Sequence, residues 1–522
     1  MKEQGKGVIK TVGFMMAITL LGKVLGLVRD QLMAIHYAIG MEADAFLTAS
    51  QIPRVFFDAV FASAISASFI PIFNEYMQKK GKEEAFRLSN QFITIIGIVT
   101  IALTLVGMAA ARPLVNLFAN QFDAPTTALS VELLCILFPA VFFTGIAFSF
   151  VGILQSLDEF GIPAAMSIAS NVVIIFYYLF LNEKYGIYGL AVAFLIGWAM
   201  QAIIQVPALR KKGYHYRPCF QFREEGLKKI GLLMLPVMVS TWIQPINLMI
   251  NTRFASGIFE GAIAVVGYAN TLYSIVVGVF VLSVANVIFP RLSRMAEDKN
   301  AGDFESTLGT TLRAMAFLLL PMMFGLMTLS EPIVRLMYQW GDFDAVATSY
   351  TANALFYFSL GMIGFGVQTI LSRAFYAEQD GKTPFYSGLA SIGVNYLLCR
   401  LLVNSMGVGG LALASAISST VSALLLLVPM QRKKKGIITP TFLRDLCKIL
   451  CSAGIMAIVV VLLKNTMEHM FLDGLAGRII TVCIPAGVGA AFYMILTYVM
   501  KLQESTMVFQ FIGKILGKGL KK

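Results

Sequence analysis

Long apolar runs alternate with short polar segments along the whole chain. Most of these runs contain the roughly 20 residues that an α-helix needs to cross about 30 Å of hydrocarbon. The pattern therefore predicts an all-α polytopic membrane protein with about fourteen transmembrane helices. Two of the longer runs contain ionisable residues, and we expect those helices to tilt, bend or protrude. The predicted spans are 11–36, 45–76, 88–110, 130–155, 161–182, 187–209, 228–252, 262–290, 309–330, 350–377, 384–404, 408–430, 443–463 and 478–500.

Lysine and arginine are concentrated in every second loop between these spans. The positive-inside rule assigns such loops to the cytoplasm, so both termini are predicted to be cytoplasmic, in agreement with an even number of helices. The basic tail from Gln503 to Lys522 is amphipathic, and either a helix on the inner leaflet or a frayed, solvated end would explain it. The basic loops contain Lys2, Lys6, Lys10; Lys79, Lys80, Lys82; Arg210, Lys211, Lys212, Arg217, Arg223; Arg291, Arg294, Lys299; Arg432, Lys433, Lys434, Lys435; and Lys514, Lys518, Lys521, Lys522. The alternate loops contain Arg112, Lys184, Arg335 and Lys464.

The two halves of the chain resemble each other at an offset of about 220 residues. This repeat predicts two pseudo-twofold related lobes of six helices each, residues 1–222 and 223–435, around a central cavity. Residues 436–522 stand outside the repeat and add the last two helices and the basic tail. The matched segments are FIPIFNEYMQ with IFPRLSRMAE, LVNLFANQF with IVRLMYQWG, LDEFGIP with YAEQDGKTP, and YGIYGLAVAF with MGVGGLALAS.

Composition excludes several classes of protein. Hydrophobic residues make up 57% and charged residues 13% of the chain, and the mean hydropathy is +0.76. A soluble domain carries about 25% charged residues, so lipid must be the solvent here. The net charge of +12 lies mainly in the loops of one side, which does not indicate nucleic-acid binding. Six scattered cysteines and three histidines predict no metal site, and no GxxxxGK[ST] phosphate loop or other cofactor motif occurs.

Charged residues within the spans are the candidate functional residues, because a charge in lipid is costly unless a partner or a watery cavity receives it. Local pairing is one interpretation, for example of Arg54 with Asp58. A cationic rim around the cavity is the other, and it suits an anionic substrate because an arginine fork binds two phosphate oxygens. Arg29 and Asp30 are adjacent on a helix, so we expect them to serve different partners. The candidates are Lys23, Arg29, Asp30, Asp44, Arg54 and Arg253, the last at the boundary of the seventh and eighth spans.

The segment GKVLGLVRDQLMAIHYAIGMEADAFLTASQIPRVF, followed by FIPIFNEY, resembles the start of the MurJ/MviN family, the lipid II flippases of peptidoglycan synthesis. This resemblance covers nearly the whole chain. It implies an alternating-access flippase in the bacterial plasma membrane that moves lipid II, a polyprenyl-pyrophosphate glycolipid, from the inner to the outer leaflet. It also implies that the pyrophosphate binds in a central cationic cavity and that the polyprenyl tail lies against the last two helices. Membrane lipids and proteins of cell-wall synthesis are the other partners it implies.

The resemblance assigns roles to individual residues. Arg29, Asp30 and Asp44 match family positions directly, Arg253 is matched to the arginine of the eighth helix, and Lys23 stands where many members have arginine. All of these, with Arg54, are expected to take part in substrate binding.

Two departures from the family pattern affect these expectations. Phe57 and Asp58 occupy positions where many members carry arginine, so Arg54 is the nearest candidate to replace that cation. A sodium site in the C-terminal lobe would need carboxylates. Asn395 lies at a plausible position, but the seventh span has no acidic residue, which argues against sodium coupling.

Other functions stay open at this stage. A flippase for another polyprenyl-linked oligosaccharide, or a multidrug exporter of the same superfamily, would share the same features, although the two extra helices favour a lipid-linked substrate. A membrane glycosyltransferase or ligase is a remote alternative, because the outer loops 111–129 and 331–349 are short and contain no histidine. We therefore predict that the protein is a transporter and not an enzyme.

Overall fold

The computed structural model describes residues 2–55, 65–221, 224–297, 301–470 and 474–510, and the regular structure in these ranges is helical. The chain divides into two compact units, Met1–Ala264 and Val265–Lys522. The predicted all-α fold is thus confirmed for the part of the chain that the structure describes.

Unit 1 is built from helices that run back and forth with short connections. Helix α1 packs along α8, and α2 packs on α6. The close approach of α1 to α8 depends on Gly22, where an added Cβ would lie 2.3 Å from Oγ of Ser167. The helices are α1 (Lys2–Tyr37), α2 (Met41–Pro53), a π-helical turn (Ile65–Phe69), α3 (Ile70–Lys79), α4 (Lys82–Ala109), α5 (Ala111–Phe118), α6 (Ala124–Leu137), α7 (Ala140–Ser156), α8 (Gly161–Phe180), α9 (Asn182–Ile203), α10 (Val206–Lys211), α11 (Glu225–Thr241) and α12 (Ile243–Ala255).

Unit 2 has an apolar core to which most of its helices contribute, with Met315, Leu319 and Phe375 among the buried side chains. The last two helices, α20 and α21, pack on each other, and α20 also packs along α14. The helices are α13 (Ala262–Glu297), which begins in unit 1, then α14 (Ala301–Thr328), α15 (Ser330–Tyr338), α16 (Ala345–Leu360), α17 (Met362–Ala377), α18 (Lys382–Met406), α19 (Val408–Lys433), α20 (Pro440–Met470) and α21 (Leu475–Val499). A helical segment at 503–510 follows.

The helices α4 to α9 recur in the same order as α14 to α19, and unusual backbone positions recur with them. Gly186 near the start of α9 has φ +54°, and Gly407 before α19 has φ +55°. Asp158 and Gln379 each have φ +60° just after a helix. These pairs stand at the offset of the sequence repeat, so the repeat extends to local backbone geometry.

A side-chain cap also recurs. The Asp123 carboxylate accepts a hydrogen bond from the backbone N–H of Thr126 at the start of α6, and Asp344 accepts one from Ala347 at the start of α16.

The two compact units are defined by contacts within the structure, whereas the predicted lobes are defined by the sequence repeat. The lobes 1–222 and 223–435 and the C-terminal part 436–522 therefore stay a prediction.

Among the described residues, ten helices are long and apolar enough to cross a membrane, or eleven if α16 and α17, with a bend of 43° between them, form one span. These helices make the chain a multi-pass membrane protein. The other three predicted spans, 11–36, 45–76 and 228–252, overlap described helices, but those helices do not meet that criterion within the described residues. The total of about fourteen spans stays a prediction.

Candidate functional site

Arg29 and Asp30 form an ion pair near the C-terminal end of α1. Nε and Nη2 of Arg29 donate to the same carboxylate oxygen, Oδ1 of Asp30, over 2.9 and 2.7 Å. Both side chains are about three-quarters buried, with 22% and 25% of their surfaces exposed. The expectation that these neighbours serve different partners was therefore wrong: the arginine side chain is long enough to turn back onto the adjacent carboxylate.

Two further side chains fix the guanidinium of Arg29. Nη1 of Arg29 donates to Oδ1 of Asn171 on α8 over 3.1 Å. The ring of Phe194 on α9 lies 5.6 Å from the guanidinium carbon, within the range of a cation–π contact. Sequence reasoning missed Asn171, although a buried amide in an otherwise apolar span was an available signal.

Within the described residues, Lys23 and Arg54 form no hydrogen bond or ion pair with this cluster. Lys23 is exposed on α1, and Arg54 is exposed immediately after α2. Neither side chain forms an ion pair with another residue in the described ranges. Phe57 and Asp58 lie outside the described residues, so the pairing of Arg54 with Asp58 stays a prediction.

Asp44 caps a helix that begins about 220 residues later in the chain. Its side chain is 1% exposed, and Oδ2 and Oδ1 accept hydrogen bonds from the backbone N–H groups of Gly261 and Ala264, each over 2.8 Å. These groups belong to the N-terminus of α13, where a carboxylate is favoured by the helix dipole. A second hydrogen bond joins the same two segments with the roles of donor and acceptor exchanged. Here the backbone N–H of Met41 donates to Oε1 of Glu260 over 2.9 Å.

Replacing Asp44 by alanine is expected to destabilise the protein, because the two buried amides of α13 would lose their acceptor. An unsatisfied buried N–H costs about 1–3 kcal/mol. Thermal unfolding of the purified variant in detergent measures this effect. Glu260→Ala is the matched control, since it removes one exposed hydrogen bond at the same pair of loops. Equal unfolding temperatures of the two variants would contradict a capping role for Asp44.

Arg253 lies in the last turn of α12, and its Nη1 donates to the carbonyl oxygen of Leu117 over 2.9 Å. Leu117 is near the C-terminus of α5, where a cation is favoured. The residue thus closes the seventh predicted span, and its match to an arginine of the eighth helix is corrected. The eighth span, 262–290, contains no charged residue.

Of the six predicted residues, the structure brings Arg29 and Asp30 into contact, whereas Asp44 and Arg253 each bind backbone groups of other segments. Within the described ranges, no three His, Cys, Asp or Glu side chains are grouped as ligands for a metal. The candidate site is accordingly the cluster of Arg29, Asp30, Asn171 and Phe194, an arginine with two polar partners in a predicted membrane span. Such a group can bind an anion.

Comparison with known proteins identifies the family. A family model described as lipid II flippase MurJ matches residues 35–481. The chain is 28% identical over 501 residues to the probable lipid II flippase MurJ of Vibrio cholerae, covering 94% of this chain and 95% of the relative. It is 32% identical over 432 residues to the probable lipid II flippase MurJ of Haemophilus influenzae, covering 78% and 83%.

Solved structures agree with this family. A structure of the lipid II flippase MurJ in an inward closed conformation matches with a TM-score of 0.78 and 26% identity, covering 93% of this chain and 98% of the other. An inward-facing multidrug resistance MATE family transporter matches with a TM-score of 0.68 and 16% identity over 81% and 98% of the chains, which shows a shared fold. These matches are flippases and transporters, so the prediction that the protein is not an enzyme is confirmed. The chain belongs to the MurJ family of lipid II flippases.

Proposed function

We propose that this protein moves lipid II from the inner to the outer leaflet of the bacterial plasma membrane by alternating access, as a step of peptidoglycan synthesis. The observation that carries the proposal is the arginine cluster of α1, in a chain whose relatives are named lipid II flippases. Arg29 is held by a carboxylate, an amide and an aromatic ring, so its guanidinium is oriented before a substrate arrives.

The chemistry of lipid II fits such a cluster. The pyrophosphate is anionic, and an arginine fork can donate to two of its oxygens at once. Lys23, Arg54 and Arg253 supply further positive charge in the same unit. Asp30 pairs with Arg29, and Asp44 binds the N-terminus of α13. The polyprenyl tail would remain in lipid, beside α20 and α21.

The membrane potential supplies a driving force in this proposal. The distribution of lysine and arginine indicates that both termini lie in the cytoplasm. Outward movement of the substrate is part of the proposed function. An inside-negative potential favours outward movement of an anion by about 2.3 kcal/mol per charge per 100 mV. The lobes 1–222 and 223–435 are proposed to carry out alternating access. Membrane lipids and proteins of cell-wall synthesis are proposed as its partners.

A second candidate function follows from the shared fold with the MATE family transporter. In this alternative the protein exports drugs or flips another polyprenyl-linked oligosaccharide. The helices α20 and α21, which follow the repeat and pack beside α14, favour a lipid-linked substrate over a soluble drug.

Complementation tests the proposed function. We expect the chain to restore growth and normal shape to bacteria depleted of their own lipid II flippase, while an empty vector does not. Membrane insertion is checked by blotting the membrane fraction. If the inserted protein fails to restore growth, lipid II is not its substrate, and strains that lack flippases for other polyprenyl-linked glycans become the next hosts.

A further inference from the structure

We propose that Asn171 is a positioning residue that holds Arg29 in its anion-binding orientation by tying the guanidinium to the backbone of α1. This inference rests on the proposed function, since it concerns the residue to which that function assigns the pyrophosphate. Asn171 lies on α8, 142 residues from Arg29 in sequence, and its side chain is 4% exposed.

Both the oxygen and the nitrogen of the Asn171 side-chain amide form hydrogen bonds to α1. Oδ1 accepts from Nη1 of Arg29 over 3.1 Å, and Nδ2 donates to the carbonyl oxygen of Gly22 over 3.1 Å. Gly22 and Arg29 are about two helical turns apart, so they lie on the same face of α1. A single side chain from α8 thereby bridges two turns of α1.

Gly22 on that face of α1 permits the close approach of α8, whereas Gly26 lies in ordinary contact with Asn171. An added Cβ on Gly26 would lie 3.6 Å from Nδ2 of Asn171, and one on Gly22 would lie 2.3 Å from Oγ of Ser167. A larger side chain at Gly22 would therefore push α1 away from α8. Gly22 permits the close approach of the two helices, and the hydrogen bonds of the Asn171 amide then fix the position of Arg29.

The bridge completes the restraint on the guanidinium. Asp30 binds the edge formed by Nε and Nη2, Asn171 binds Nη1, and the Phe194 ring lies 5.6 Å from the guanidinium carbon. These contacts engage all three nitrogens of the guanidinium and one of its faces, which restrains the plane of the group. Because an oriented side chain loses less entropy when it binds a ligand, loss of the bridge is expected to weaken anion binding.

An apolar replacement separates positioning from packing. Asn171→Leu keeps a similar volume and removes both hydrogen bonds. We expect purified full-length protein in nanodiscs to bind lipid II about tenfold more weakly after this change, in line with the loss of one hydrogen bond to a charged group. Binding of the uncharged polyprenol of the same length is expected to stay unchanged. Ser170→Ala is the matched control, because its buried hydroxyl bonds to the carbonyl of Ser167 on its own helix.

A double-mutant cycle with Arg29→Ala provides a readout that a purely structural role would not change. If Asn171 acts through Arg29, Asn171→Leu has no further effect on lipid II binding in the Arg29→Ala background. Independent, additive losses overturn the proposal, as does equal weakening of lipid II and polyprenol binding. If Asn171→Leu fails to insert, Asn171→Ala carries the same expectation without adding volume. Parent protein that does not bind lipid II refutes the proposed function itself, which distinguishes the two failures.

Discussion

Arg29→Ala is expected to abolish lipid II transport while leaving the protein folded in the membrane. The guanidinium is held by Asp30, Asn171 and Phe194, and a hydrogen bond to a charged group contributes about 1.5–3 kcal/mol. Loss of a bidentate contact to pyrophosphate therefore corresponds to a decrease of about a hundredfold or more in affinity. Transport is measured in proteoliposomes as the appearance of lipid II in the opposite leaflet, together with complementation of the depleted strain.

Three companion variants test whether the loss of transport in Arg29→Ala is caused by the missing guanidinium. Arg29→Lys keeps the charge but not the fork, and it should retain partial transport. Arg29→Ala combined with Asp30→Asn removes the unpaired carboxylate and should still be inactive, because the cation is missing in both. Arg112→Ala, which removes an exposed arginine at the start of α5, is the matched control and should transport normally. Normal transport by Arg29→Ala would show that the pyrophosphate binds elsewhere.

Hydropathy predicted most spans because a long apolar run is a local property of the sequence. Three predicted spans, 11–36, 45–76 and 228–252, do not meet the length and hydropathy criterion within the described residues. In the first span, Lys23, Arg29 and Asp30 weaken the apolar signal, and the second includes residues 56–64, which lie outside the described ranges. Those same charges are the candidate functional residues. The repeat was equally accessible, since it could be read from the order of matched segments and recurs in the paired backbone positions Gly186 and Gly407.

The partners of the charged residues could not be predicted, because they depend on contacts between distant segments. Nothing in the sequence near Asp44 indicates that it caps α13, and Asn171 could not be connected with Arg29 before α1 and α8 were seen together. The bond between Arg29 and Asp30 was missed for a different reason. Adjacent Cβ atoms on a helix point in different directions, but a long arginine side chain can compensate for that difference.

Arg313→Leu is expected to produce the largest loss of stability in unit 2. Arg313 on α14 donates to Oδ2 of Asp445 on α20 over 3.0 Å and pairs with Glu504 in the helical segment 503–510. It also donates to Oε1 of Gln503 over 2.7 Å. The three charged side chains are only 11–14% exposed, so the substitution would leave two carboxylates buried without their shared cation. Breaking such a buried pair costs about 3–5 kcal/mol.

The expected result is a lower thermal unfolding temperature in detergent and faster proteolysis after residue 500, because one side chain joins α14 to both α20 and 503–510. Lys433→Ala is the matched control. It breaks the pair of Lys433 with Asp380 at 3.5 Å, in which the lysine is 52% exposed, and exposed pairs contribute about 0–1 kcal/mol.

A triple variant, Arg313→Leu with Asp445→Leu and Glu504→Leu, distinguishes the pairing from the burial of charge. Because replacing a whole buried ion cluster with apolar side chains is often neutral, we expect this variant to recover much of the stability that Arg313→Leu loses. Recovery would show that the ion cluster contributes little to the free energy of unfolding. Its main role would then be to fix the position of the segment 503–510. If instead Arg313→Leu alone unfolds at the temperature of the parent protein, the ion cluster does not hold 503–510 in place, and the apolar contacts of Leu502, which is 1% exposed, must do so.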